Sequence, residues 1–199
     1  MASVPPPASL LELVRHRTAG AVRAAASIER QADAVARLMQ ALADCVAAGG
    51  TVFTCGNGGS AAEALHLAEE LVGFYRDHDR PPKRAVCLAA DPTALTCIAN
   101  DAGFEQVFSR PLTALGRPGD LLVALSTSGN SPSILRALET AQAGGLTTAG
   151  LLGGDGGRAR PLCDHAIVVD APDGGSVQEG HLMLVHLLCE VFEPGTPGD

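Results

Sequence analysis

The stretch Asp120-Leu121-Leu122-Val123-Ala124-Leu125-Ser126-Thr127-Ser128-Gly129-Asn130-Ser131-Pro132 decides the fold class. Its first half is an unbroken apolar run, the pattern of a strand covered on both faces. Its second half is a polar loop, and Pro132 suits the first position of a helix, where a missing N–H costs nothing. The helix runs to about residue 143 and stops at Gly144-Gly145. Strand, polar loop and helix together make half of a βαβ unit. The loop places four hydroxyls within six residues of a helix start. Exposed N–H groups and the helix dipole favour a phosphate there, and hydroxyls add donors without fixed charge. An ordinary N-cap at Ser131 needs one hydroxyl, so the others are surplus to capping.

The same order of elements appears upstream. Residues 51–55 form a short buried strand that enters Gly56-Asn57-Gly58-Gly59-Ser60, and a helix follows over 60–75. This glycine loop is neither G-x-G-x-x-G nor a Walker A loop. Beside the serine loop it suggests one anion-bearing ligand spanning two nests. Further strands are expected at 85–89, 147–152 and 166–170, and helices at 91–99 and 104–115. The charged segment 76–84 has the composition of a solvated turn. One long Ala-rich helix is expected over 20–48, ended by Gly49-Gly50, and a last helix over 177–193 that is apolar on nearly every side, hence buried in the core or in an oligomer interface. Five strands alternating with helices give an α/β, doubly wound parallel sheet with helices on both faces. Both loops leave strand C-terminal ends, the edge where such sheets bind ligands.

Composition narrows the function. The 199 residues are 46% hydrophobic and 18% charged, enough for a substantial core, which is aliphatic because there are five Phe, one Tyr and no Trp. Fourteen Lys and Arg against 22 Asp and Glu give a net charge of −8, which argues against non-specific nucleic-acid binding. No apolar run is long enough to cross a membrane, and the first residues lack the pattern of a secretory signal. The six Cys (45, 55, 87, 97, 163 and 189) contain no C-x-x-C pair, as expected of reduced thiols in a cytoplasmic protein. Residues 1–8 and 194–199, rich in Pro and Gly, are expected to be disordered around one domain over 9–193.

His66 and Glu70 stand four apart on one helix, and Gln178 and His186 lie on the last helix with His181 and Glu190 nearby. Spacing alone does not join the two helices.

The series Gly56-Asn57-Gly58-Gly59-Ser60, His66-Leu67-Ala68-Glu69-Glu70-Leu71, Asn100-Asp101, Ser126-Thr127-Ser128-Gly129-Asn130-Ser131, Asp155-Gly156-Gly157 and Gln178-Glu179…His186 resembles the sugar isomerase (SIS) domain family, and within it the phosphoheptose isomerases. The resemblance covers about residues 20–193. It implies a flavodoxin-like three-layer fold and a homotetramer with active sites at subunit interfaces. It implies an aldose–ketose isomerase acting on a phosphorylated ketoheptose, sedoheptulose 7-phosphate, to give an aldoheptose 7-phosphate. Ser126, Thr127, Ser128 and Ser131 would hold the phosphate. Asn57, Gly58 and Ser60 would line the sugar, with Asp101 near its hydroxyls. Glu70 and His186 would be the acid/base pair, and His66, Glu70, Gln178 and His186 would bind one zinc ion per subunit. A non-catalytic relative that binds a replication initiator protein, or a phosphosugar sensor, is the alternative. The first of these groups lacks the His matching His186. The chain departs from the family in two places. Phe74 stands where a basic residue is usual, and residues 173–177 lack the usual Arg before Gln178-Glu179.

Overall fold

The computed structural model describes residues 7–195. β1 (Val52–Gly56), β2 (Ala85–Cys87), β3 (Leu121–Ser126), β4 (Thr147–Gly153) and β5 (His165–Val169) form one parallel sheet in the order β2-β1-β3-β4-β5. Every residue of β3 is buried, as an unbroken apolar run in a central strand requires. Its side chains alternate between two cores. Leu121, Val123 and Leu125 join one, and Leu122 and Ala124 join the other.

Helices α1 (Pro7–Glu29), α2 (Ala32–Ala47), α3 (Gly59–Val72) and α7 (Gly174–Glu190) supply the first core. The second lies under α6 (Pro132–Ala143), α5 (Ser109–Leu115), α4 (Pro92–Ala102) and short 3-10 segments at Phe104–Gln106 and Gly157–Leu162. The three-layer α/β architecture expected from the sequence is the one observed.

Boundaries differ where tertiary partners intervene. The single helix expected over 20–48 is two helices, and the first begins at Pro7. Gln31 stands at the break, with its amide on the open edge of β5. Its Nε2 donates to Val168 O at 2.8 Å, and its Oε1 accepts from Val168 N at 3.1 Å. Ser27 Oγ accepts from Asp170 N at 3.0 Å. Backbone groups that no neighbouring strand pairs are thereby satisfied. The segment expected as one helix over 104–115 is split into the 3-10 turn and α5. The ends expected to be disordered lie largely outside the described residues, although residues 7 and 8 belong to α1.

The loop after α3 is not a simple solvated turn. Arg80 is 7% exposed. It donates to Leu71 O at 3.2 Å and to Glu70 O, and its Nε reaches Glu193 Oε1 at 3.3 Å. Asp77 N donates to the other Glu193 oxygen at 2.7 Å. One buried guanidinium thus ties the end of α3 to the chain just beyond α7. All six cysteines are free, four of them buried. Among the described residues no helix is long and apolar enough to cross a membrane.

Candidate active site

The two polar loops meet. Asn57, Ser60, Leu125, Ser126, Thr127 and Ser131 line one cleft of about 60 Å³ at the C-terminal edge of β1 and β3. Asn57 Nδ2 donates to Ser133 Oγ at 3.0 Å, joining the glycine loop to the first turn of α6. Gly58 is the N-cap residue of α3. Ser131 occupies the N-cap position of α6, but its side chain caps no amide. Capping therefore does not account for that hydroxyl. Ser126 Oγ accepts from Gly129 N at 3.1 Å, and Ser128 Oγ accepts from Asn130 N at 3.2 Å. These bonds curl the loop and leave each hydroxyl hydrogen available for donation.

Gly129 has φ +62°, and a methyl group there would overlap the Gly156 carbonyl. The serine loop leans on the Asp155-Gly156-Gly157 turn through this contact. Ala159 N donates to Gly129 O at 2.8 Å and Arg158 N to Asn130 Oδ1 at 3.1 Å. A larger groove of about 860 Å³ between α5 and α6 contains none of the residues singled out from the sequence.

The packing of α7 along α3 joins what spacing could not. One ligand-type atom each from His66, Glu70 and His186 lies within 4.8 Å of the others. His66 Nε2 is 2.9 Å from Glu70 Oε1. The His66 and His186 rings meet edge to face, with centroids 5.3 Å apart. Glu70 Oε2 is buried without a hydrogen-bond partner. A buried carboxylate oxygen left unpaired beside two imidazoles is a donor set awaiting a proton or a cation. Mixed nitrogen and oxygen ligands suit zinc, so these residues fit the metal implied by the resemblance.

Gln178 approaches Gly59 at the head of α3, where a side chain on Gly59 would overlap its amide. Asp101 lies apart from the cleft lining. It is exposed at the end of α4, and its carboxylate accepts from Asn100 Nδ2 at 2.6 Å.

Three features carry no motif. Tyr75 stacks on His186 with centroids 5.7 Å apart and planes 21° apart. Burial, and then the Glu190 carboxylate, raise its phenol above the usual range, so it is a hydrogen-bond donor at neutral pH. His181 is fully buried with both ring nitrogens unpaired, and its Nδ1 lies 3.7 Å from the equally unpaired Glu63 Oε2. Arg17 of α1 pairs with Asp173, the N-cap of α7, and with Glu179 at 3.0 Å.

Residues 17–153 match the family model described as SIS domain. The chain belongs to the SIS domain family. It is 49% identical over 187 residues to a phosphoheptose isomerase of Chlorobaculum parvum, covering 92% of this chain and 88% of that one. Solved phosphoheptose isomerases from Neisseria gonorrhoeae (35% identity, TM-score 0.83, 91% of this chain and 97% of that one) and Francisella tularensis (30%, 0.84, 92% and 97%) share its fold.

Both departures of this SIS domain have a structural setting. Phe74 is exposed and lies 5.2 Å from the His78 ring. The segment lacking an Arg receives one from α1, since the Arg17 guanidinium sits where a Gly175 side chain would project and reaches Ser176 Oγ at 3.3 Å.

The α7 N-cap supplies a pH test. The Ser176 amide, and then Arg17, hold Asp173 down from 3.8 to about 2. A carboxylate whose folded pKa is depressed stabilises above its unfolded pKa and loses that contribution as pH falls through the folded value. The stability difference between the native protein and Asp173→Asn, measured by urea titration, is expected to be full at about pH 6 and to shrink from about pH 4 downward. A difference independent of pH would mean that the ionised carboxylate is not its source.

Proposed function

We propose that this chain isomerises sedoheptulose 7-phosphate to an aldoheptose 7-phosphate through an enediolate, as the first step of heptose nucleotide synthesis. The observation that carries the reading is the convergence of His66, Glu70 and His186 in a chain whose relatives are phosphoheptose isomerases over nearly their full length. The Ser126, Thr127, Ser128 and Ser131 hydroxyls, with the first turn of α6, bind the phosphate. Asn57, Gly58 and Ser60 line the sugar, and Asp101 serves its hydroxyls. Glu70 takes the proton from C1 of the ketose and returns it at C2. His186 relays protons between the two substrate oxygens. His66 and Gln178 complete, with Glu70 and His186, the ligand set for one zinc ion per subunit, which when bound supplies Lewis acidity for the carbonyl.

The same reading includes a cytoplasmic homotetramer with interfacial sites. Two features support it. Leu10, Leu11, Leu13, Val14 and Val22 of α1 and Leu182 and Met183 of α7 are exposed apolar side chains, of the kind that contact between subunits would bury. Asp101 lies on α4, which packs Leu95, Ile98 and Ala99 on the second core but has no fully buried residue within this chain, so its outer face is open to a neighbouring subunit. Proton NMR of the protein mixed with sedoheptulose 7-phosphate, with and without added zinc, tests the activity. New aldose anomeric signals are expected, and their couplings identify the product. An unchanged spectrum at both metal levels would overturn the reading.

A further inference from the structure

We infer that Tyr75 is a positioning residue for His186, fixing the plane of its imidazole by stacking on it while the end of α7 anchors the phenol. The inference rests on the proposed reading of His186 as a site residue.

His186 is held from two sides. The His66 ring meets it at 82°, and Tyr75 covers it at 21°. His66 is itself held by Glu70 at 2.9 Å. Tyr75 is held independently. Its hydroxyl donates to Glu190 Oε1 at 3.1 Å, and Arg76 binds the other Glu190 oxygen at 2.6 Å. Glu190 lies four residues, about one helical turn, beyond His186 on the same face of α7. The ring that orients the imidazole is therefore fastened to the helix that carries it. Arg80 and the Asp77 amide, both on Glu193, fasten the rest of the loop. An imidazole can ligate or move a proton only along its nitrogen lone pair. A rotation of the ring about its side-chain torsions misdirects that pair without breaking any other contact. Groups that orient a ligating histidine commonly control metal affinity or activity by about 10–100-fold.

The test separates ring from hydroxyl. Calorimetric titration with zinc is expected to show Tyr75→Leu at least about tenfold weaker than the native protein and Tyr75→Phe within about threefold. Turnover of sedoheptulose 7-phosphate is expected to follow, with kcat of Tyr75→Leu down about tenfold and KM within about twofold, as for an interaction felt at the reacting atoms rather than in substrate binding. The chain has one Tyr and no Trp, so tyrosine emission reports Tyr75 alone, and a saturable change on adding zinc to the native protein is expected. A folded Tyr75→Leu variant that binds zinc like the native protein overturns the inference, as does an equal loss in Tyr75→Phe. If Tyr75→Leu does not fold, Tyr75→Met decides, since it keeps the bulk of the side chain and removes the ring, with unchanged zinc affinity overturning the inference and weakened affinity supporting it. Zinc affinity that depends on the Tyr75 ring in a protein unable to convert the ketose would sustain this inference and remove the substrate assignment.

Discussion

Glu70→Gln is expected to lower kcat for ketose phosphate isomerisation by about 10²–10⁴-fold, the usual contribution of general acid–base catalysis. The substitution keeps the shape of the side chain and removes its capacity to accept a proton. It acts at an oxygen that no neighbour satisfies, because Glu70 Oε2 is buried without a partner while Oε1 is engaged by His66. His186→Gln is expected to fall into the same range. The double variant is expected to be little worse than the more damaged single one, because groups that act as a unit are not additive. Steady-state rates from the NMR assay, with thermal unfolding to confirm that the variants fold, check all three. Near-normal turnover in either single variant would remove the acid/base assignment.

Arg80→Met is expected to cost about 3–5 kcal/mol, the range for breaking a buried ion pair from one side. For a chain of this size that is roughly a 10 °C fall in Tm. The Arg80 and Glu193 side chains are 4% and 0% exposed. Removing the guanidinium strands the Glu193 charge and leaves the Leu71 and Glu70 carbonyls without the donor they now share. The double variant Arg80→Met/Glu193→Leu is expected to recover part of the loss, since an apolar pair does not leave a desolvated charge. Thermal and urea unfolding read both. A single variant within about 0.5 kcal/mol of the native protein, the scale of ordinary surface changes, would show that the loop is not fastened in this way.

The two predictions concern residues of unequal legibility. Glu70 stands out through the resemblance to the SIS family, since its four-residue spacing from His66 puts both on one helix face but is by itself that of an ordinary exposed pair. Arg80 sits in a run of charges and Pro whose composition is that of a solvated turn. Its burial depends on Glu193, 113 residues away. The break between α1 and α2 was hidden for the same reason. Nothing around Arg30 and Gln31 interrupts the helical pattern, and the partner of Gln31 is Val168, 137 residues away. Tyr75 carried no motif at all. A solitary tyrosine after a glycine gives no sign of what it stacks on. His181 could be seen as a histidine in an apolar helix, but its 3.7 Å approach to Glu63 across the helix seam could not.

By itself the sequence determined the parallel three-layer architecture, the polar loops at the strand ends, and the residue types at the candidate site. These depend on short-range rules, namely apolar runs for buried strands, Gly, Ser and Pro at helix starts, and one-turn spacing on a helix. Only the tertiary structure decided that α7 lies along α3, so that His186 meets His66 and Glu70 under Tyr75, and that Gln31 and Arg80 satisfy backbone groups far away in the chain. The physical reason is that such meetings are set by how apolar helix faces pack and where unpaired backbone groups find donors. Both depend on the whole core and not on any local stretch of residues.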